Sequence, residues 1–224
     1  GSNKIVQKRT NRFIKLDKGM ARLLGYYVSE GWSRTRKRES LIGFGFGKDE
    51  ENKCREVQEL AKEAFDLDTK IISHKSRKSH QVVGYSKIVA IFFEMLCGKY
   101  AENKRIPAEI FSSPDEIKIE LLTGLFLGDG SNKEKMRISY DSVSYSLVSQ
   151  VKMLLVSLGI MSSVKVCTHG NSKWHDSYKL RISGKQLFYF NKIFKDFKAN
   201  ISQQDFYRND TFIDENYIYF PIQN

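Results

Sequence analysis

The sequence predicts an α+β protein built from two similar αββαββα halves in one chain. Three observations predict it. A nine-residue motif occurs twice, the same order of helical and strand patterns follows each copy, and the acid in each copy falls at the same place, 99 positions apart.

The first copy is Leu23-Leu24-Gly25-Tyr26-Tyr27-Val28-Ser29-Glu30-Gly31 and the second is Leu122-Thr123-Gly124-Leu125-Phe126-Leu127-Gly128-Asp129-Gly130. Each reads as the last turns of a helix. After Gly31 the stretch 32–48 alternates around Leu41-Ile42, Phe44 and Phe46; after Gly130, Met136, Ile138 and Tyr140 alternate. A period of two predicts β-hairpins. Apolar residues at helical spacing then predict helices over 50–65 (Val57, Leu60, Ala61, Ala64) and 144–158 (Leu147, Val151, Leu154, Leu155, Leu158). A second hairpin follows in each half, 70–73 with 81–85 and 164–168 with 177–182, and closing helices are expected over 87–96 and 185–197. The halves are bounded at 12–106 and 117–204. The stretch 107–116, with Pro107 and Pro114, reads as a linker, and 205–224 as a tail with no counterpart in the first half.

Composition narrows the partner. The 224 residues are 41% hydrophobic, enough for a core, and carry a net charge of +11 with a pI near 9.4. Such a balance favours nucleic acid first and an anionic membrane surface second. The longest apolar runs, 88–93 and 121–127, fall well short of the roughly 18 residues of a membrane span. No secretory signal is read, so an intracellular setting is expected. Cys54, Cys97 and Cys167 are odd in number and widely spaced, which excludes a disulfide framework and a zinc knot. His74, His80, His169 and His175 lie in polar hairpin tips without metal-ligand spacing and read as surface contacts.

The motif has a physical rationale. Glycine inside a helix costs about 1 kcal/mol relative to alanine, so Gly25 and Gly124 need a compensating role. Close packing of the two motif helices about a pseudo-twofold axis supplies one, with Ser29 and Gly128 on the same face. Gly31 and Gly130 are expected as left-handed helix caps. Glu30 and Asp129 then sit at helix C-termini, where the macrodipole disfavours negative charge. Either they are solvated helix-end acids, or they are brought together and a divalent cation relieves their repulsion. Two matched copies in a basic protein favour the cation.

These residues carry a resemblance. LLGYYVSEG and LTGLFLGDG resemble the two copies of the motif that names the LAGLIDADG homing endonucleases, single-chain two-motif type. Glu102-Asn103-Lys104-Arg105-Ile106-Pro107 is similar to the Lys-x-Ile-Pro segment of intein-type members, and the stretch 178–185 resembles the strand-to-helix junction late in a half. The resemblance covers about 16–205. It implies two saddle-shaped antiparallel sheets over DNA and a central two-helix interface at Gly25 and Gly124. It implies that Glu30 and Asp129 hold the catalytic metal, with the preceding Ser29 and Gly128 counted in the metal set. Mg²⁺ is the expected cofactor, with Mn²⁺ or Ca²⁺ substituting for binding. The basic residue expected near each catalytic centre falls on Lys104 in the first half and on Lys198, with Lys195 as rival, in the second; Lys48 is a further candidate. For each lysine, phosphate contact or plain solvated charge is the equal alternative. Two departures stand out: the first motif ends in Glu, and Gly47 occupies the place where a polar Gln or Asn often stands near the water network.

A two-stranded ribbon fits the major groove, so outward residues on the strands and tips are the expected DNA contacts. In the first half these are Ser33, Arg34, Arg36, Arg38, Ser40, Lys48, Lys75, Arg77, Lys78 and Gln81. In the second they are Asn132, Lys133, Lys135, Arg137, Ser139, Asp141, Lys165, Lys173, His175 and Lys179. Trp32 and Trp174 are expected to pack on the sheet or its rim. The reading is a monomeric, metal-dependent endonuclease acting on long, imperfectly palindromic double-stranded DNA, by hydrolysis without a covalent enzyme intermediate. An RNA-splicing maturase and an inactive DNA-binding regulator are the alternatives, and an intein origin stays open.

Overall fold

The computed structural model describes residues 13–37, 39–74, 79–134, 136–168, 176–199 and 201, together with strand residues 212–213 and 218–219. The first half runs α1 (Lys18–Glu30), β1 (Gly31–Thr35), β2 (Ser40–Gly47), α2 (Glu51–Phe65), β3 (Thr69–His74), β4 (Ser79–Gly84) and α3 (Lys87–Cys97). The second runs α5 (Asp115–Asp129), β5 (Gly130–Ser131), β6 (Arg137–Ser142), α6 (Tyr145–Ser157), β7 (Ser163–Cys167), β8 (Ser177–Ser183) and α7 (Gln186–Ile193). A 3₁₀ turn at Ala101–Asn103 follows α3, and the expected linker 107–116 holds α4 (Ala108–Phe111) and the start of α5. A two-stranded pair, β9 (Phe212–Ile213) and β10 (Ile218–Tyr219), lies in the tail.

The two four-stranded antiparallel sheets have the same strand order, β1-β2-β4-β3 and β5-β6-β8-β7. The duplication read from the sequence is thus a duplication of topology. Side chains alternate across each sheet. Ile42, Phe44, Phe46 and Val82 of the first sheet and Ile138, Tyr140, Leu180 and Ile182 of the second are buried in the core shared with the helices. Helix starts are fixed by side-chain caps: Asp17 accepts from the Met20 N–H, Ser86 from Val89 and Ser144 from Leu147.

Gly31 and Gly130 depart from expectation. Both adopt extended backbone, φ/ψ −82/148 and −73/147, because each is already the first residue of a strand. Glycine is required there for closeness: a β-carbon on Gly31 would fall 2.5 Å from the Tyr27 carbonyl oxygen, and one on Gly130 2.3 Å from that of Phe126. The closing helix α7 also ends at Ile193, short of the expected 197. Phe190, Phe194 and Phe197 keep helical spacing in sequence, yet Phe194 turns extended and all three gather on Phe126. Their periodicity reflects a shared aromatic cluster beyond the helix end.

Candidate metal and nucleic-acid site

The site begins with the pairing of α1 and α5. A β-carbon placed on Gly25 would lie 2.1 Å from the Leu121 carbonyl oxygen, and one on Gly124 2.3 Å from that of Arg22. The helices therefore touch backbone to backbone. The contact continues to the helix ends, where a β-carbon on Gly128 would lie 2.1 Å from Ser29 Oγ and 3.1 Å from Glu30 Cγ. The acids are thereby brought together. Burial first, then the charges of Asp129 and Glu50, raises the pKa of Glu30 to about 7. Asp129 is exposed as a residue, yet its carboxylate lies in a protein-walled recess; desolvation there, opposed by Lys104 and reinforced by Asp141, raises its pKa to about 6.

Two lysines close the site. Lys104 is buried, with 6% of its surface exposed. Its Nζ donates to the carbonyls of Tyr27 (2.6 Å) and Gly31 (2.8 Å) and stands 3.6 Å from the centre of the Tyr27 ring. Burial lowers its pKa to about 8, against the attraction of Asp129. Its segment is fastened to α6 of the other half: the Ser144 hydroxyl donates to the Lys104 carbonyl, and Ile106 N–H donates to Gln150. The second lysine is Lys53, which sequence reasoning missed. From the start of α2 it reaches across the interface to the Leu127 carbonyl (2.5 Å) and pairs with Glu50 (2.5 Å). Its charge also opposes the raised pKa of Glu30. The arrangement is crossed: each lysine binds the end of one motif helix and faces the acid of the other. The missed signal was Lys53 three residues after Glu50, an i,i+3 pair at a helix start.

Lys104 and Asp129 share the wall of a cavity of about 260 Å³ with Tyr27, Trp32, Lys99 and Tyr100. The donors suit a hard divalent cation. They are two adjoining desolvated carboxylates, and among the described residues no group of three or more His, Cys, Asp or Glu stands together. A cation held this sparely keeps positions for water and phosphate oxygens, as Mg²⁺ does. Ser29 Oγ donates back to the Gly25 and Tyr26 carbonyls. Gly128 offers only backbone. Lys48 and Lys198 are exposed, and their carbonyls accept from His80 and Asn132.

Pairing registers sort the expected DNA contacts. Ser33 lies on the helix side: its hydroxyl accepts from Tyr27 OH and donates to Glu94 (2.8 Å), away from the open face of the sheet. Ser40 falls on the same side by register and closes the hairpin turn against the Arg36 backbone. Arg34 and Gln81 share the opposite face of the first sheet, and Arg137, Ser139, Asp141, Lys165 and Lys179 that of the second. Arg34 pairs with Glu39, Arg137 with Glu134 and Lys179 with Asp141. Arg36, Asn132 and Lys133 flank the strands. Arg38, Lys75, Arg77, Lys78, Lys135, Lys173, His175 and Trp174 lie outside the described residues. Trp32 covers Gly43, where a β-carbon would meet its ring at 2.4 Å, so it packs on the sheet. Sequence reasoning missed Arg181, opposite Ser139 and Ser163 on the open face. No helix among the described residues is long and apolar enough to cross a membrane.

Comparison with known proteins agrees with this architecture. The model of the LAGLIDADG-like domain family matches residues 116–195. Uncharacterized protein MJ1054 of Methanocaldococcus jannaschii is 34% identical over 89% of this chain and 24% of its own length. A DNA polymerase of Thermococcus litoralis is 32% identical over 91% of this chain and 12% of its own length. The ATP-dependent DNA helicase Hel308 of Thermococcus kodakarensis is 29% identical over 81% and 17%. The chain thus spans less than a quarter of these relatives. Among solved structures, the homing endonuclease I-DmoI in complex with DNA and Mn is 19% identical with a TM-score of 0.62, covering 82% of this chain and 99% of that one. Full-length DUF199/WhiA from Thermatoga maritima is 15% identical with a TM-score of 0.54, covering 83% and 57%. Residues 116–195 thus match the LAGLIDADG-like domain family, and the two matching halves share the fold of I-DmoI.

Proposed function

We propose that the chain is a site-specific endonuclease that cuts both strands of a long, asymmetric DNA site with a divalent metal. The observation that carries the reading is the placement of Glu30 and Asp129 at the ends of two helices packed backbone to backbone, between two sheets of equal topology. A protein that only bound nucleic acid on this fold would gain nothing from holding two desolvated carboxylates together, which favours cutting over the maturase and regulator readings.

Glu30 and Asp129 would hold the cation, Mg²⁺ in the first place with Mn²⁺ or Ca²⁺ as substitutes. When bound, it supplies charge stabilisation at the phosphodiester and keeps both carboxylates ionised at neutral pH. The protein's own groups do the rest. Lys104 and Lys53 neutralise the helix-end carbonyls that would otherwise repel the phosphates and acids. The open sheet faces and basic tips position the duplex through phosphate contacts. Hydrolysis without a covalent enzyme intermediate fits a site whose named groups are carboxylates and engaged lysines.

An inserted origin is part of the proposal. Segments similar to this chain occur within proteins as different as a DNA polymerase, a helicase and DNA polymerase II large subunit, filling 8–17% of each. A segment shared by unrelated hosts fits an intein-borne mobile element. The test is incubation with a pool of long DNA substrates: double-strand cuts that need Mg²⁺, stop with EDTA and leave no protein–DNA adduct support the reading. Cutting that persists without divalent metal would overturn it.

A further inference from the structure

The two sheets have the same topology but present unlike open faces. On the two central strands of the first sheet, the residues turned away from the core are Gly43, Gly45 and Gly47, opposite Val83, Gln81 and Ser79. None is charged. Gly43 lies under Trp32, and a β-carbon on Gly45 would meet nothing within 4 Å. Phe44 and Tyr140 each pair with the glycine that follows the motif acid. Ser139 opposite Arg181 therefore stands where the first sheet has Gly43 opposite Val83, and Asp141 opposite Lys179 where it has Gly45 opposite Gln81. Arg137, opposite Ser183, lies on the same face. Four of these six second-sheet residues are charged, and they mix donors with an acceptor. Arg181 is half-buried, and its neighbours across both strands are the small Ser139 and Ser163.

We infer that the two half-sites are read unequally, an inference that rests on the DNA-cutting reading above. The central strands of the second sheet read base edges through side chains, with Arg181 as the principal donor to a guanine. The central strands of the first bring bare backbone against the groove and discriminate little beyond Gln81. The chemistry decides this. Arginine offers a planar fork matching guanine O6 and N7, and an Asp or a Gln reads a different base edge, whereas glycine offers no donor or acceptor on its side. Glycine does permit close backbone approach. A six-residue strand such as β6 rises about 3.3 Å per residue against about 3.4 Å per base pair, so each face covers roughly six base pairs beside the cut. The inference concerns those base pairs alone.

The test is selection of bound DNA from a randomised library by the full chain in Ca²⁺, followed by the same selection with Arg181→Ala and Arg181→Lys. The expected outcome is strong base preference over the inner base pairs of one half-site and weak preference over the other. Arg181→Ala should relax the preferred base at one position about tenfold and leave the rest unchanged. Arg181→Lys should relax it too, since a phosphate contact would be rescued by lysine but a bidentate fork would not. Equal preference in both inner half-sites, or rescue by lysine, overturns the inference while the DNA reading stands. A library with no enriched sequence overturns both.

Discussion

Gly25 and Gly124 face each other across the helix pair, and neither has room for a single carbon: the nearest atom to an added β-carbon is a backbone carbonyl oxygen of the opposite helix in both cases. Backbone cannot swing aside as a side chain can. Gly124→Ala should therefore separate the helices despite the roughly 1 kcal/mol gain in helix propensity. A net loss of about 1–3 kcal/mol is expected, a fall in Tm of roughly 2–4 °C per kcal/mol for a chain of this size. Thermal melts of Gly25→Ala and Gly124→Ala check it; unchanged melts would mean that the helices are not in contact.

Lys104 and Lys53 make a second prediction. The donors of Lys104 are engaged by two carbonyls and a ring face, and the expected role is positioning. Lys104→Met leaves those carbonyls buried and unpaired, costing about 1–3 kcal/mol, and should lower cutting more than DNA binding. Lys53→Met should do the same from the other side of the interface. A variant that weakened DNA binding and left the melt untouched would assign the lysine to phosphate contact instead.

At the opposite end of α1, Arg22 joins the halves through Glu120 (2.7 Å) and Asp196 (2.7 Å), with Glu56 at 3.4 Å. Its side chain is only 13% exposed. Arg22→Met strips three acids of their partner, and a loss of about 2 kcal/mol in chemical denaturation is expected, below the ~3–5 kcal/mol of a fully buried pair.

Stability should depend on pH and on metal together. Glu30 titrates near 7 in the folded chain and near 4.5 as a free side chain. The folded state therefore holds the extra proton in that window. This stabilisation is complete below about pH 4.5 and is lost as pH rises through 7, on the order of 2 kcal/mol after allowance for solvent. Asp129 acts in the same direction between 3.8 and about 6. Mg²⁺ at pH 7.5 should restore stability, because a cation favours both ionised forms. Melts across pH with and without Mg²⁺ check this, and Glu30→Gln should flatten both responses.

Much of this was legible in the sequence because its signals were local. The doubled motif, the alternation of Phe44 and Phe46 or Ile138 and Tyr140, and the helix periodicities each fix one element, and repetition tied them into halves. The glycine contact was legible because an unexplained helix glycine asks for a neighbour. Other features depend on tertiary placement. Ser33 looks like any outward strand serine until register sets it beside Glu94. Lys53 looks like a surface helix lysine until the second half brings the Leu127 carbonyl to it. Arg181 shares the open face with Lys179, but its place between Ser139 and Ser163 appears only once the strands are paired. Gly31 and Gly130 were read for the wrong reason: crowding by the preceding turn, not a left-handed backbone, requires them.

The most direct test is cleavage of a randomised DNA-site library in Mg²⁺ by the native chain, Glu30→Gln and Asp129→Asn. The account predicts specific double-strand cutting by the native chain, a loss of at least about 10³-fold in either variant, and binding in Ca²⁺ retained by both. Equal cutting by either variant, or selective binding by the native chain with no cutting in any divalent metal, would contradict it.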